Sequence, residues 1–369
     1  MAAMMRRMRS ILIPFRFLAS PIGMFFALPW LMLLLVMGTV AQRYLGLYES
    51  QKLFFGSFVL WVGSIPLPGA YSTLAFVALS LIAKLLLKSP FSRAQAGTIL
   101  IHVSAVVLLV GGLVSALTRE EGYIVLDEDK AVQAVSDYQQ RALEIMQGDT
   151  HIASKPYGSL RVGDVIAESG LPFRVKILKS CFPCAPAPRA TISPDAHGIA
   201  GKLELTKAPF AKDEARNLTA VEFQVAGAGE ADGTYIAFEG LEPATLNVGS
   251  AHYTFTLKPA ARVLPFSVRL TRFIKSDYPG TEEASAYRSE VAIGGEGPEW
   301  SAVIEMNQPL RHKGYTLYQS SYVEEDGRQL SVLAVVKNAG EWFPYIAVSM
   351  LCVGLVLHLL IVLRGRTVL

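Results

Sequence analysis

The sequence predicts a membrane protein with four transmembrane α-helices and one large, mostly antiparallel β domain, built as a sandwich or an open barrel. The 369 residues are 51% hydrophobic and only 18% charged, whereas a soluble domain carries about 25% charged residues. Four apolar windows approach the length that crosses a bilayer, and short alternating runs lie between the last two. The net charge of +3 gives no reason to expect a nucleic-acid partner.

The apolar windows divide the chain. The predicted spans cover residues 21–41, 71–88, 97–118 and 342–363, each close to the ~20 apolar residues that a crossing needs. Residues 42–70 are also apolar but contain two prolines, so we predict an interfacial or re-entrant loop there. The first span is too long for a cleavable signal peptide and no small-residue cleavage site follows it, so none is expected.

Basic residues predict the orientation of these spans. They precede the first span, flank the turn between the second and third, and follow the fourth: Arg6, Arg7, Arg9, Arg16, Lys84, Lys88, Arg93, Arg364 and Arg366. With four spans these clusters fall on one side, which the positive-inside rule assigns to the cytoplasm. Residues 1–20, 89–96 and 364–369 are therefore predicted to be cytoplasmic, and residues 119–341 extracytoplasmic.

The extracytoplasmic segment reads mostly as β-strands. Phe173, Val175 and Ile177 alternate with basic residues in FRVKIL, and the same pattern recurs in KLELT, VEFQV, HYTFTL and FSVRL. GAGEADG and LKPAARVLP are predicted turns, and CAPAPRATISPDAHG is a predicted exposed loop. Residues 129–146 are the one stretch of this domain that we predict as a candidate helix.

A polar and aromatic stretch, NQPLRHKGYTLYQSSY, occupies residues 307–322. Regular strand alternation places Tyr315 and Gln319 on one face, and Tyr318 and Tyr322 on the other. Such a surface suits docking or the rim of a membrane, although tyrosines that bury their rings and hydrate their hydroxyl groups give the same pattern. We predict it to be the last strand before the final span.

This stretch and the residues before it resemble conserved blocks of a known protein family. NQPLRHKGYTLYQSSY resembles the signature near the end of the ResB (CcsB) family of cytochrome c biogenesis proteins, and LPFSVRLTRFIKSDYPG followed by YRSEV resembles the preceding block of that family. The family layout of three spans, a large outer domain and a final span is similar, as is a histidine early in span three, inside GTILIHVSAVVLLVGGL. The resemblance is strong over residues 264–322 and weak from about 120 to 260.

The resemblance implies a role in the system II pathway, in the bacterial inner membrane with the large domain on the periplasmic side. There, a ResB-like protein and a ResC (CcsA) subunit move haem b outward and join it to the CxxCH thiols of apocytochrome c. The partner carries a Trp-rich haem-handling motif, which is absent here because the four tryptophans are scattered. This chain would then be a non-catalytic or co-catalytic subunit, with no metal other than haem iron. Tyr315, Tyr318, Gln319 and Tyr322 are predicted to form the surface for the partner or for haem exit.

Two histidines lie within predicted spans, and an ionisable side chain in lipid is a functional candidate. His102 and His358 each lie roughly 8 Å inside the cytoplasmic boundary of their spans, and two axial ligands of one haem iron need such equal depth. The resemblance implies instead that His102 shares haem with a histidine of the partner subunit. A histidine bonded to a neighbouring helix, or placed at the membrane interface, is the alternative. We predict His102 as an axial ligand and keep His358 as the candidate second ligand.

Two cysteines, Cys181 and Cys184, form the motif CFPC in the predicted oxidising compartment. Haem attachment would require CxxCH, but residue 185 is alanine. A redox pair needs a helix N-terminus to stabilise its thiolate, which the nearby prolines oppose. A metal clip lacks a second CxxC. The pattern favours a local disulfide.

Two other functions stay open at this level. The chain is a membrane-anchored thiol–disulfide protein if Cys181 and Cys184 exchange disulfides with another protein. It is a non-enzymatic binding protein if the β domain recognises an outer ligand and the spans only anchor it in the lipid bilayer.

Overall fold

A computed structural model describes residues 18–87, 92–189, 195–213, 216–281, 283–325 and 327–366. The chain divides into two compact units: a helical unit, Met1–Arg119 with Asn338–Leu369, and a β unit, Glu120–Lys337. The basic residues that precede the first span and Lys88, which entered the prediction of orientation, lie outside the described residues.

Four described helices are long and apolar enough to cross a membrane. They are α1 (Pro21–Leu45), α2 (Ala70–Leu87), α3 (Ala96–Thr118) and α4 (Phe343–Arg366). The start of α1 is specified locally: the Ser20 side chain accepts a hydrogen bond from the backbone N–H of Ile22, and proline occupies the first helical position. Many large apolar side chains of these helices are exposed, as lipid-facing surfaces require.

The connection between α1 and α2 forms two helical turns and a short β-hairpin. A helical turn (Leu47–Ser50) and a π-helical turn (Gln51–Phe55) lead into a hairpin of β1 (Val59–Val62) and β2 (Ile65–Pro68). The Trp30 indole donates a hydrogen bond to the Pro68 carbonyl over 2.9 Å, which ties the hairpin to α1. The two prolines of this segment lie in β2, a strand too short to cross a bilayer.

Small residues let α3 and α4 pack in close antiparallel contact. A Cβ atom added at Gly97 would overlap the backbone of His358, one at Gly111 would overlap the Phe343 side chain, and Gly354 lies against Ile101. Glycine at such positions allows two helix backbones to approach closely in lipid. The contact runs over nearly the whole length of both helices.

The described strands of the β unit form three sheets. The strands are β3 (Glu120–Leu126), β4 (Ala131–Gln147), β5 (Thr150–Pro156), β6 (Val165–Ile166), β7 (Arg174–Cys181), β8 (Cys184–Pro188), β9 (Leu203–Lys207), β10 (Ala220–Ala226), β11 (Gly233–Phe238), β12 (Ala244–Val248), β13 (Ala251–Asp277), β14 (Ala284–Gly295), β15 (Gly297–Glu305), β16 (Leu310–His312), β17 (Tyr315–Glu325) and β18 (Arg328–Lys337). The largest sheet has ten strands, in the order β15-β14-β13-β4-β3-β18-β17-β16, with β5 also paired to β4 and β12 to β13. A second sheet has the order β11-β10-β7-β6, and β8 and β9 form the third.

Two hydrophobic cores share the long strands β4 and β13. The first fills the space between the four-stranded sheet and the β5–β4–β13–β12 part of the large sheet, and includes Phe223 and Phe255. The second includes Phe266 and Leu333 and lies where the large sheet curls. All strand pairs named above are antiparallel. The predicted fold class, four apolar helices with a large antiparallel β domain, is confirmed.

The predicted helix over residues 129–146 is wrong, because this segment forms β4. Leu143 and Ile145 are fully buried, and β4 pairs with β13 and β5 on its two sides. Cross-strand bonding and burial on one face therefore override the local preference of the sequence.

Two predicted irregular segments also become strand. LKPAARVLP is not a turn, because β13 continues through it and absorbs the irregularity as register shifts after Pro259 and after Val263. The start of the predicted loop CAPAPRATISPDAHG is β8, which pairs with β9. Its prolines stand at an edge strand, the position in a sheet that tolerates them.

The α3–α4 contact generates the first prediction. Gly111→Leu places a side chain against Phe343, whereas a Cβ atom at the neighbouring Gly112 meets nothing within 4 Å. Overpacking costs about 1–3 kcal/mol, so Gly111→Leu is expected to lower the unfolding temperature of the detergent-solubilised protein, measured by tryptophan fluorescence. Gly112→Leu is the matched control and is expected to leave it unchanged. Equal effects of both substitutions would contradict close packing at Gly111.

Candidate functional site

His102 lies on the second turn of α3 and is partly buried. Its Nδ1 atom is 2.8 Å from the backbone oxygen of Thr98, one turn earlier. A carbonyl oxygen only accepts hydrogen bonds, so Nδ1 carries a proton, and in the neutral imidazole Nε2 then keeps its lone pair. This is the tautomer in which an imidazole binds a metal through Nε2 while Nδ1–H fixes the ring orientation.

His358 lies on α4 and is exposed on the helical unit. Its Nδ1 atom is 3.3 Å from the Thr98 hydroxyl oxygen. The structure therefore brings both predicted histidines to one residue, Thr98. Its carbonyl accepts the hydrogen bond from His102, and its hydroxyl group lies within hydrogen-bond distance of His358. The sequence analysis did not single out Thr98, and only the pairing of α3 with α4 reveals its position.

Helix packing bears on the idea that one haem binds both histidines. A haem with two axial imidazoles lies as a plate between them. At the level of Gly97, however, the backbone of α3 touches the backbone of α4 at His358. At that level the two helices leave no room for a haem between their backbones.

The stretch with the three tyrosines forms the short strand β16 and the longer strand β17, joined by a tight turn. Residues Leu310–His312 form β16, and after a two-residue turn β17 begins at Tyr315. Lys313 and Gly314 in that turn have positive φ angles of 47° and 79°, as a tight hairpin connection requires. The prediction that this is the last strand is wrong, because β18 follows β17 and leads to α4.

A β-bulge decides which way the residues of β17 face. Gln319 pairs with Leu333, but Ser321 already pairs with Val332, so one extra residue is inserted between them. The bulge reverses the alternation beyond it, and Tyr322 pairs with the fully buried Ser331. The prediction that Tyr322 shares a face with Tyr318 is therefore wrong: Tyr322 faces inward, as Gln319 does.

Gln319 belongs to a hydrogen-bonded cluster inside the sheet. Its Oε1 atom accepts from Ser289 over 2.7 Å, and its Nε2 atom donates to Ser331 over 3.3 Å. The two serine hydroxyl groups are 2.7 Å apart, and both serines are fully buried. A satisfied polar cluster of this kind specifies one arrangement of the strands.

The other two predicted surface tyrosines also have internal partners. Tyr322 packs its ring against Phe273 and Tyr287, with centroid distances of 6.1 and 5.5 Å. Tyr315 is half-buried, and the Lys337 ammonium lies 5.3 Å from its ring centroid. Of the four residues predicted for the docking surface, only Tyr318 is exposed, with 40% of its surface accessible.

Tyr318 lies in an aromatic surface that the sequence analysis missed. Across three neighbouring strands, Tyr318 of β17 pairs with Ala334 of β18, and Ala334 pairs with Tyr123 of β3. The Tyr123 ring lies 5.2 Å from that of Tyr138. Burial raises the pKa of Tyr138, and the nearby Glu121 charge raises it further, so this hydroxyl stays neutral. We call Tyr123, Tyr138 and Tyr318 the tyrosine face.

Cys181 ends β7 and Cys184 begins β8, and the structure joins them in a disulfide. Both are buried in a small core with neighbours that include Leu205 and Phe238. Cys184 starts a strand, so no helix N-terminus is present to stabilise a thiolate. Burial and this position favour a structural disulfide over one that exchanges with another protein.

Comparison with known proteins agrees with the resemblance. Residues 227–332 match the ResB-like family. A segment of 132 residues, 34% of this chain, is 30% identical to Protein NrfI from Wolinella succinogenes and covers 14% of that protein. The chain thus spans only a small part of the length of this relative. The family match includes Tyr318 and the Gln319 cluster; His102 and the disulfide lie outside it. The two matches show that this part of the chain is similar to the ResB-like family, which is associated with cytochrome c biogenesis.

The disulfide generates the second prediction. Replacing Cys181 and Cys184 together by alanine is expected to lower the stability of the β unit by about 2 kcal/mol, the chain-entropy value for so short a loop. Thermal unfolding of the full-length protein checks this, with Cys352→Ser, the exposed cysteine of α4, as the control. Loss of cytochrome c maturation with unchanged stability, and its recovery with an added thiol reductant, would instead establish a redox role.

Proposed function

We propose that this chain, assigned to the ResB-like family, holds haem b within a bacterial inner membrane and delivers it, with a ResC (CcsA)-type subunit, for attachment to apocytochrome c. The observation that carries the proposal is the His102 imidazole, fixed on an apolar helix with Nε2 in its metal-binding tautomer. The association of the family with cytochrome c biogenesis supports the same function.

In this proposal His102 supplies one axial ligand. The Thr98 carbonyl holds the Nδ1 proton, which orients the ring and increases the basicity of Nε2. A histidine of the partner subunit supplies the second ligand, because α3 and α4 are in backbone contact beside His358. Haem itself is the cargo, and its iron is the group that the imidazole binds.

The tyrosine face is the proposed docking surface for the partner subunit. Tyr318 and Tyr138 are 40% and 45% exposed, and the exposed Val125 and Val323 lie on neighbouring positions of the same strands. Tyrosine is enriched at protein interfaces because its ring supplies contact area and its hydroxyl group stays hydrated. With Lys84, Arg93 and Arg364 in the cytoplasm, the β unit and this face would be periplasmic.

The chain's contribution to the reaction is ligation and positioning. We assign no catalytic residue to it, and thioether formation takes place at the partner's haem-handling site. The buried disulfide has a structural role in this scheme.

His102 generates the third prediction. In membranes that contain this protein and its partner, His102→Ala is expected to remove the b-type absorption of the reduced haem, and added imidazole is expected to restore it, because a free ligand can replace the missing side chain. His358→Ala is the matched control and is expected to retain the haem. Haem retained in His102→Ala, with normal cytochrome maturation, would end the assignment. Equal loss in both variants would show that the two histidines share the haem.

Neighbouring residues of β17 generate the fourth prediction. Tyr318→Ala is expected to weaken binding of the haem-handling subunit about 30-fold, the effect of removing an interface hot spot, without changing the unfolding temperature. Affinity co-purification of the two subunits from detergent measures the binding.

The control for this experiment is Gln319→Ala. It removes one hydrogen-bond partner from each of two buried serine hydroxyl groups, Ser289 and Ser331, and is expected to cost about 1–3 kcal/mol of stability, while the folded fraction still binds the partner. If Tyr318→Ala binds the partner as wild type does, the tyrosine face is not the docking surface.

A further inference from the structure

The β unit carries an exposed apolar tip on β13. The ladder with β4 is interrupted between Val263 and Val268. Leu264 and Phe266 point into the second core, whereas Val263 and Pro265 point outward. Val263 is 74% exposed, the highest value for a large apolar side chain among the described residues of the β unit. Packing of the core does not explain why a valine and a proline are exposed at this register shift.

Cationic side chains surround this tip. The Arg262 guanidinium donates to the backbone oxygen of Glu121 over 2.8 Å and lies 3.3 Å from the Asp137 carboxylate. The Lys313 ammonium lies 3.5 Å from the Pro265 carbonyl and 3.6 Å from the carboxylate of the exposed Glu296. Lys337 lies over the Tyr315 ring at the same end of the sheet. Lysine and arginine beside exposed apolar residues are the composition of a surface at the membrane interface.

An exposed tryptophan belongs to the same end of the sheet. Trp300 is 43% exposed, and its ring lies 5.6 Å from that of His312. His312 in turn contacts Phe266, with a centroid distance of 4.9 Å. Tryptophan is enriched where protein meets lipid headgroups, because its ring is apolar and its N–H is polar.

Short links join this end of the sheet to the candidate membrane spans α3 and α4. Glu120, Lys337, Tyr315 and His312 are neighbours in one register row. Only one residue separates Glu120 from the end of α3, and five separate Lys337 from the start of α4. At no more than ~3.6 Å per residue, these links reach at most about 7 and 22 Å.

The start of α4 also marks the membrane interface. The rings of Trp342 and Tyr345 are 5.8 Å apart, and both side chains are more than 60% exposed. Paired aromatic residues at the end of a span form the belt that lies at headgroup level. The strand ends are therefore covalently held within reach of the headgroups.

We propose that the tip of β13, with Arg262, Lys313 and Lys337 around it, is a lipid-docking surface: Val263 and Pro265 insert among the headgroups and the cations bind lipid phosphates. The occupant is the phospholipid membrane, since a short covalent link keeps this surface beside it. Docking limits the tumbling of the β unit about its two connections. Docking of this kind requires only the membrane spans and is independent of the proposed haem role.

Spin labels at two matched valines test the proposal. In a Cys352→Ser background, Val263→Cys and Val165→Cys provide single labelling sites, since Cys181 and Cys184 are joined in a disulfide. Val165 is 53% exposed in the four-stranded sheet and is the control. The labelled full-length protein, without a partner, is placed in vesicles of phosphatidylglycerol and phosphatidylcholine. Collision with oxygen, which dissolves in lipid, and with a water-soluble nickel chelate is then measured.

The label at residue 263 is expected to collide more with oxygen and several-fold less with nickel than the label at residue 165. Equal nickel access at both positions would overturn the proposal, and so would low access of both reagents at residue 263, which indicates contact with protein. Lys313→Glu is expected to raise nickel access at residue 263, whereas Lys207→Glu on β9 is not. No difference between these two charge variants would overturn the role of the cations.

Discussion

The close contact of α3 with α4 is the constraint on which the helical unit depends. It exists because Gly97, Gly111 and Gly354 present no side chain at the crossing. It brings His102 and His358 to the same threonine and places the end of α3 beside the start of α4. Within the β unit, the strand that follows α3 in the chain, β3, pairs with the strand that precedes α4, β18.

Two register shifts give the β unit its distinctive surfaces. The bulge after Gln319 turns Tyr322 inward and leaves Tyr318 outside, and the interruption after Val263 sends that valine into solvent while Leu264 and Phe266 stay in the core. A bulge costs local pairing but re-aims side chains. Both lie in strands whose cores are well packed, so the rest of the sheet holds them in place.

The proposed functions are distributed over both units. The family match covers β17, and therefore Tyr318, and half of β18, whereas His102 lies on a candidate membrane helix outside the match. The proposed haem role of His102 consequently depends on its tautomer and on the helix around it, and the proposed docking role of the tyrosine face depends on strand register. The disulfide closes a separate small core and has no part in either.

The sequence by itself determined the four spans, the antiparallel strands such as FRVKIL and the preference for a disulfide at CFPC, because length, alternation and local spacing are properties of neighbouring residues. Only the tertiary structure decided that residues 131–147 form a strand, that β18 follows β17, that Tyr123 and Tyr138 join Tyr318, and that Thr98 serves two histidines. These features arise from hydrogen bonds and contacts between residues far apart in the chain, and a bulge of one residue reverses every face beyond it.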